Sequence, residues 1–243
     1  MIDIKINSQP DDVTCGPTSL HSIYRYYGDS ISLEQTIEEI KFVASGGTLA
    51  ASLGTHALMR GYTCTIYVYN LEVFDPSWFC PEVLPNEIII DKLKQQLLYK
   101  DKPQINEASL AYAEFLALGG TVLQKNLTPN LLKTIFSTQT PIITGLSATY
   151  LYGSQREYEP LELKINNSKK DITVYDDIRG VPAGHFVVLC GYDETHRHIV
   201  VADPHQKNPI SGNNYYNVSI SRLINSIMLG VLTYDANLLL IRK

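Results

Sequence analysis

Residues Gln9–Gly28 read QPDDVTCGPTSLHSIYRYYG and predict a loop that turns into an amphipathic helix at Cys15. Pro17 suits the first helical position, because the N–H that proline lacks would have no partner there. Gly28 suits the left-handed residue that ends a helix. The apolar side chains of the segment recur at the spacing of one helix face: Leu20, Ile23, Tyr24 and Tyr27.

The thiol of Cys15 is a candidate nucleophile. A thiol at the start of a helix lies near the positive end of the helix dipole and near backbone N–H groups, and both favour the reactive thiolate. Gln9, six residues earlier, carries a side-chain amide that could reach the same place and donate to an oxyanion. The segment alone does not exclude an inert, buried thiol in a Gly-Pro turn.

Composition limits the possible classes of protein. The chain has 243 residues, of which 44% are hydrophobic and 19% charged, so we expect a packed core and no global disorder. The net charge of −5, without a block of like charges, argues against nucleic-acid binding. No apolar run approaches the roughly 20 residues that cross a bilayer, so no membrane association is expected.

The beginning of the chain and its cysteines indicate a compartment. MIDIKINSQP lacks the features of a secretory signal and predicts a short strand with Ile2, Ile4 and Ile6 on one face. Four cysteines are too few for a disulfide scaffold, and Cys64 falls on the apolar face of a predicted strand. We therefore expect a cytoplasmic protein with reduced thiols.

Periodicity and turn residues divide the rest of the chain into elements. The helices are expected over 33–44, 50–60, 86–100, 106–118, 128–137 and 219–229, and the strands over 62–69, 121–124, 141–146, 185–192, 198–203, 231–234 and 237–241. The helical pair within about 70–120 has no alternating sheet of its own, so we interpret it as an elaboration. Residues 147–183 are irregular and are expected to form long loops, with room for a hairpin, beside a binding cleft.

The hairpin over 185–203 suggests a partner for the thiol. If Tyr192 pairs with His196 across a three-residue turn, His185 lies opposite Asp203 on one face of the sheet. A histidine beside a carboxylate fits a catalytic base and the group that orients it. The alternative is a structural hydrogen-bonded pair, and the presence of Cys15 favours the catalytic interpretation.

Three motifs carry a family resemblance. Q-x5-C-G-P at Gln9 and Cys15, H-F-V-V-L-x-G-Y-D at His185, and the D-P at Asp203 resemble the peptidase C39-like group of papain-like cysteine proteases. This implies an α+β, papain-like fold, with N-terminal helices packed on an antiparallel β-sheet. It also implies Cys15 as nucleophile, His185 as base, Asp203 as orienter and Gln9 as oxyanion donor. One departure is Thr14, where many members have an aspartate.

The resemblance predicts one C39-like peptidase domain over 1–243, with a helical insertion at about 70–120 and a loop insertion at about 147–183. It predicts hydrolysis of a peptide or amide bond through an acyl-enzyme, with a peptide or protein as substrate. The alternatives are an amidase or acyltransferase with the same residues, and a degenerate module that only binds peptides. The leader trimming of transporter-fused members is not implied, because the chain has neither a membrane segment nor a phosphate-binding loop.

No cofactor and no metal site are expected. His196, His198 and His205 come close to Asp203 in the sequence, but His196 falls in the predicted turn and His198 on the opposite strand face. These histidines are therefore poorly placed to share one ion with Asp203. The oligomeric state is not indicated by the sequence.

Overall fold

A computed structural model of the protein describes residues 1–44, 46–158 and 174–243. The helices are α1 (Cys15–Tyr26), α2 (Leu33–Glu39), α3 (Ala50–Met59), α4 (Asn86–Gln96), α5 (Pro103–Ala117), α6 (Pro129–Ser137), α7 (Ala148–Tyr152) and α8 (Ile220–Leu229). The strands are β1 (Thr63–Val68), β2 (Thr121–Leu123), β3 (Ile142–Ser147), β4 (Glu157–Tyr158), β5 (Val174–Tyr175), β6 (Gly184–Asp193), β7 (His198–Ala202), β8 (Tyr215–Ser219) and β9 (Asn237–Arg242). Short 3₁₀ helices lie at Pro76–Trp78 and Gly230–Thr233.

Seven of these strands form a sheet in the order β2-β1-β9-β3-β6-β7-β8. Neighbours run antiparallel throughout, except that β1 and β2 are parallel. Strand β3 lies at the middle of the sheet, and all six of its residues are buried. Helix α1 packs against β6, and α8 packs against β3. The predicted α+β architecture, with helices packed on a mainly antiparallel sheet, is confirmed.

The β6–β7 hairpin differs from the prediction in its register. Asp193 rather than Tyr192 closes the hairpin, opposite His198, so the turn has four residues instead of three. The carboxylate of Asp193 stabilises this turn by accepting hydrogen bonds from the backbone N–H groups of Thr195 and His196, at 2.9 and 3.1 Å. The predicted pairing of Tyr192 with His196 is therefore wrong.

A β-bulge in β6 then changes the register again. Beyond Cys190 the pairing shifts by one residue, so that Val188 lies opposite Ala202. Continuing this register places Asp203 opposite Val187, on the face that carries His185 and one diagonal step away from it. Without the extra residue Asp203 would lie opposite Val188 and would face the other side of the sheet. The bulge therefore places His185 and Asp203 on the same face of the sheet, which the prediction had attributed to a regular hairpin.

Several other elements also differ. The strand expected over 231–234 is the 3₁₀ helix Gly230–Thr233, and the chain then reverses through Tyr234 and Ala236, whose φ angles are 62° and 26°. Helix α2 ends at Glu39, five residues earlier than expected. Strand β8 and helix α7 were not predicted. Residues 2–6 show the expected alternation, with three buried isoleucines, but form no assigned strand.

Helices α4 and α5 pack against each other, and α5 also packs against α3. Phe115 of α5 is fully buried, and a Cβ added at Gly54 in α3 would lie only 2.6 Å from its ring. The two helices therefore approach closely because α3 presents a glycine to this ring. In the region expected to be irregular, β4 and β5 pair as antiparallel strands. The prediction of long loops over 159–173 lies outside the described residues.

Candidate active site

Cys15 is the first residue of α1 and is 8% exposed. Helix α1 therefore begins two residues before the expected Pro17. The turn ahead of it is held by Asp11, whose side chain accepts a hydrogen bond from Val13 N at 3.0 Å. Thr14 is the residue before the helix, and its carbonyl accepts the first helical bond, from Thr18 N at 3.0 Å. The first N–H groups of a helix have no partner within it, so those around Cys15 can serve a bound anion.

Gly16 lets the start of α1 approach a neighbouring loop. A Cβ at this position would lie 2.1 Å from Oγ1 of Thr48, which is buried just before α3. No larger residue fits there unless Thr48 moves. Close packing against Thr48 thus explains why the middle residue of the Cys-Gly-Pro motif is a glycine.

His185 and Asp203 form a buried pair. His185 Nε2 lies 2.8 Å from Asp203 Oδ1, and the exposures of the two residues are 7% and 0%. Because Nε2 is engaged by the carboxylate, Nδ1 is the ring nitrogen left for Cys15, whose side chain is close enough to help raise the pKa of His185. The buried hydrogen bond from Ser19 Oγ to Phe186 O, at 3.3 Å, joins α1, which carries Cys15, to β6, which carries His185. The structure thus brings Cys15, His185 and Asp203 together.

Charge decides the protonation of this pair. Burial alone would lower the pKa of His185, but the negative charge and hydrogen bond of Asp203 raise it well above its ordinary value. Burial alone would raise the pKa of Asp203, but the charge of His185 and several hydrogen bonds hold it below its ordinary value. At neutral pH the pair is therefore an imidazolium beside a carboxylate.

Two tyrosines complete the surroundings of Asp203, and the sequence reasoning missed both as site residues. Tyr152 and Tyr216 donate hydrogen bonds to Asp203 Oδ2 at 2.8 and 2.7 Å. The signals that could have located them were present. Ser147 and Gly153 bracket Tyr152 as the cap residues of a short helix, and the alternation around Tyr216 is that of a half-buried strand.

Gln9 lies beside the pair and is tied to it through the backbone. Gln9 N donates to Pro204 O at 2.9 Å, which attaches the loop before α1 to the residue after Asp203. The side-chain Nε2 donates to Asp11 O at 2.7 Å, so one of its two hydrogens is used within the loop. Its Oε1 is buried and has no hydrogen-bond partner among the described residues.

A cleft opens onto these side chains. Its walls come from the loop before α1, residues 148–157 and 174–184, and the loop after β7, and they include Gln9, Tyr152, Tyr175, Gly184, His185 and His205. The expectation that the irregular segment borders the cleft is therefore met by the part of it that the structure describes. Cys15 interacts with His185, which is itself one of the residues that line the cleft.

His205 places a second imidazole in the cleft. The centroids of its ring and of the His185 ring are 6.3 Å apart. Burial and the charge of His185 lower the pKa of His205, so this ring is neutral near pH 7. Within residues 1–44, 46–158 and 174–243, no three His, Cys, Asp or Glu side chains are grouped so that they could bind a metal.

The other cysteines lie in different environments. Cys64 and Cys190 are buried, and burial raises the pKa of each thiol to about 12. Cys80 is exposed. Because a thiol with such a raised pKa is almost never ionised at neutral pH, Cys64 and Cys190 are poor nucleophiles. No helix in the described part of the chain has both the length and the apolar character needed to cross a membrane.

Comparison with known proteins gives a match at the level of structure. No family model and no curated protein matches the sequence. The solved structure of a putative C39-like peptidase from Bacillus anthracis superposes with a TM-score of 0.50 and 13% identity, over 100% of this chain and 96% of the other. A second structure, xylellain, a cysteine protease from Xylella fastidiosa, has 15% identity over 100% and 87% of the two chains, but its TM-score is only 0.38. The architecture and the first of these similarities show that the chain has a C39-like fold.

Proposed function

We propose that this protein is a thiol-dependent hydrolase that cleaves a peptide or amide bond through an acyl-enzyme on Cys15. The observation that carries the proposal is the line of contacts from the Cys15 thiol to His185 and on to the fully buried Asp203. A helix start, an imidazolium and a carboxylate arranged in this way stabilise a thiolate. The shared C39-like fold supports the same general class of enzyme.

The first half of the reaction forms the acyl-enzyme. The Cys15 thiolate attacks the substrate carbonyl carbon, and the carbonyl π electrons move to oxygen to give a tetrahedral oxyanion. When the intermediate collapses, the C–N bond breaks and His185 gives its proton to the leaving amine. The product amine departs, and the acyl group remains on sulfur as a thioester.

The second half returns the free enzyme. His185, now neutral, takes a proton from water as the water oxygen attacks the thioester carbonyl. Collapse of the second oxyanion expels the Cys15 thiolate and releases the carboxylic acid. Asp203 keeps its charge throughout, holds the ring orientation and stabilises each imidazolium.

The oxyanion is proposed to be stabilised by the backbone N–H of Cys15 and the side chain of Gln9. The helix start provides the first donor. Gln9 Nε2 has a second hydrogen beyond the one that it gives to Asp11 O, and Gln9 lines the cleft beside His185. One donor of this kind is worth about 2.7–4 kcal/mol in the transition state.

The test is the incubation of wild-type protein and Cys15→Ala with a peptide library under reducing conditions, with products read by mass spectrometry. Cys80→Ala is the matched control, because it removes an exposed thiol and leaves the site intact. We expect new peptide termini from wild type and Cys80→Ala only. Equal cleavage by Cys15→Ala, or no cleavage by any of the three, would contradict the proposal.

A further inference from the structure

The carboxylate of Asp203 is surrounded by hydrogen-bond donors. Its Oδ1 accepts from His185 Nε2 and from the backbone N–H of His205, both at 2.8 Å. Its Oδ2 accepts from the hydroxyl groups of Tyr152 at 2.8 Å and Tyr216 at 2.7 Å. Asp203 has no exposed surface, so these four groups provide the hydrogen bonds that water would give to an exposed carboxylate.

We infer that Tyr152 and Tyr216 are positioning residues that hold the Asp203 carboxylate in the one orientation and charge state that supports His185. The inference rests on the proposed function, because it assigns these hydroxyl groups a part in the same reaction. Neither tyrosine is proposed to touch the reacting atoms.

Geometry gives the first reason. The carboxylate can rotate about its bond to Cβ, and only one orientation aims Oδ1 at the His185 ring. Two hydroxyl groups on Oδ2 oppose that rotation, because turning the carboxylate breaks both bonds at once. Bonds to an ionised acceptor are stronger than those between neutral groups, so the restraint is substantial.

Charge gives the second reason. Asp203 is buried, and burial favours its protonated form. The hydroxyl of Tyr216 is among the groups that hold the pKa of Asp203 below its ordinary value. Burial and the nearby carboxylate raise the pKa of both tyrosines, so each keeps the proton that it donates.

The two hydroxyl groups come from different parts of the fold. Tyr216 lies on β8, next to the strand that leads into Asp203. Tyr152 is the last residue of α7 and also lines the cleft. The end of α7 is held in turn by Arg222 of α8, whose Nε donates to Leu151 O at 2.8 Å. The cleft wall is therefore joined to the catalytic pair through Tyr152.

The strand and the helix offer matched controls. Tyr215 is the neighbour of Tyr216 on β8, and its hydroxyl bonds Ile4 O and Ile6 N, both at 3.0 Å, away from Asp203. Tyr150 lies two residues before Tyr152 on the same short helix and is 40% exposed. Replacing either control tyrosine by phenylalanine removes one hydroxyl group of the same kind without touching Asp203.

The experiment is an NMR titration of protein labelled with ¹³C at the aspartate carboxyl carbon, in a Cys15→Ala background. The Asp203 signal is assigned by its loss in Asp203→Asn. We expect Tyr152→Phe and Tyr216→Phe each to raise the pH at the midpoint of the Asp203 titration. Together they should raise it by about one pH unit or more, a tenfold change in proton affinity. Tyr150→Phe and Tyr215→Phe should leave it unchanged.

A second measurement uses protein that keeps Cys15 and records the rate at which iodoacetamide modifies this thiol. The same two substitutions should slow that rate roughly tenfold in combination, as expected from lost bonds to a charged group. If the double variant does not fold, the single variants decide. An unmoved Asp203 midpoint, or an equal shift in Tyr215→Phe, would overturn the inference.

The two proposals can fail separately. The titration uses protein that lacks the thiol, so it reports on Asp203 whether or not any peptide is cleaved. If the Asp203 titration midpoint shifts in the tyrosine variants but wild type cleaves no peptide, the proposed hydrolase is contradicted and the positioning role of the tyrosines is supported. If wild type cleaves peptides but the Asp203 titration midpoint does not shift, the hydrolase is supported and the positioning role of Tyr152 and Tyr216 is contradicted.

Discussion

At the scale of single residues, the chemistry depends on a charge pair that water does not reach. Asp203 is completely buried and His185 nearly so, at 2.8 Å from each other. A buried charge without a partner is costly, but both carboxylate oxygens of Asp203 accept hydrogen bonds. The other hydrogen bonds of Asp203 therefore support His185 indirectly, because they help to keep the carboxylate charged and in place.

Neutralising Asp203 tests this pair. Asp203→Asn keeps the size of the side chain but removes the charge that raises the pKa of His185. We expect iodoacetamide to modify Cys15 about 100-fold more slowly at neutral pH, in line with the usual contribution of a positioned acid–base group.

Asp193→Asn is the control for that substitution. It disrupts the exposed pair between Asp193 and His196, which lie 2.6 Å apart on the surface. The modification rate of Cys15 should be unchanged in it. A similar fall in both variants would show that the buried pair has no special role.

At the scale of secondary-structure elements, two backbone features position the reactive groups. The start of α1 holds Cys15, and the bulge at Cys190 places Asp203 on the face of His185. The first is legible in the sequence, because Gly28 at the far end and a repeating apolar face define the helix. The second has only a weak signal, Gly191 beside Cys190, because a glycine inside a strand marks either a bulge or a close approach of another backbone. The predicted contact between the side chains of His185 and Asp203 is present, but the predicted register, with the two residues directly opposite each other, is wrong.

Gly16 offers a test of the start of α1. In Gly16→Ala the new methyl group would meet Thr48 Oγ1, so we expect a loss of about 1–3 kcal/mol in the free energy of unfolding. Thr48 Oγ1 is buried and has no hydrogen-bond partner among the described residues, so Thr48→Ala alone should cost little. The double variant should recover most of the stability in urea unfolding. Additive losses would show that the clash does not limit this position.

Arg222 offers a test of the cleft wall. Its guanidinium donates to Leu151 O at 2.8 Å and to Tyr150 O at 3.0 Å, at the end of α7. Arg222→Met should lower the free energy of unfolding by about 1–2 kcal/mol and should slow modification of Cys15 by loosening Tyr152. Arg242→Met, which loses a bond to Thr140 instead, should affect stability alone. An unchanged Cys15 rate in Arg222→Met would contradict the link.

At the scale of the whole molecule, stability should depend on pH through the buried pair. The raised pKa of His185 means that its contribution is complete below the ordinary value of 6.5 and is lost as pH rises through the folded value. The lowered pKa of Asp203 means that its contribution is complete above 3.8 and is lost as pH falls through the folded value. The stability difference between protein with and without the pair should therefore be largest between these limits.

That expectation is checked by urea unfolding of Cys15→Ala and of Cys15→Ala/Asp203→Asn between about pH 5 and about pH 9. The difference in the free energy of unfolding should stay near its maximum up to about pH 6.5 and shrink as pH rises further. A difference that grows with pH would mean that His185 is not held protonated by Asp203.

Much of the whole fold follows from local sequence signals. Alternation locates β1 correctly, and the capping residues Ser32 and Thr128 locate the starts of α2 and α6. The failures share a physical cause, because they lie where tertiary contacts override local pattern. The pattern of residues 231–234 resembles a strand, yet residues 230–233 form a 3₁₀ helix, which ends at the left-handed Tyr234 before β9. The tyrosines on Asp203 were missed because their partner is distant in the chain.

The most direct measurement is the site-resolved rate of alkylation by iodoacetamide at about pH 6, read by mass spectrometry in wild type, His185→Ala and His196→Ala. The exposed Cys80 serves as the internal reference, and burial keeps Cys64 and Cys190 protonated. We predict that Cys15 reacts well before Cys80 in wild type and in His196→Ala, and that His185→Ala abolishes this preference. A Cys15 that reacts no faster than Cys80 in wild type, or equally fast without His185, would contradict an activated thiol at the start of α1.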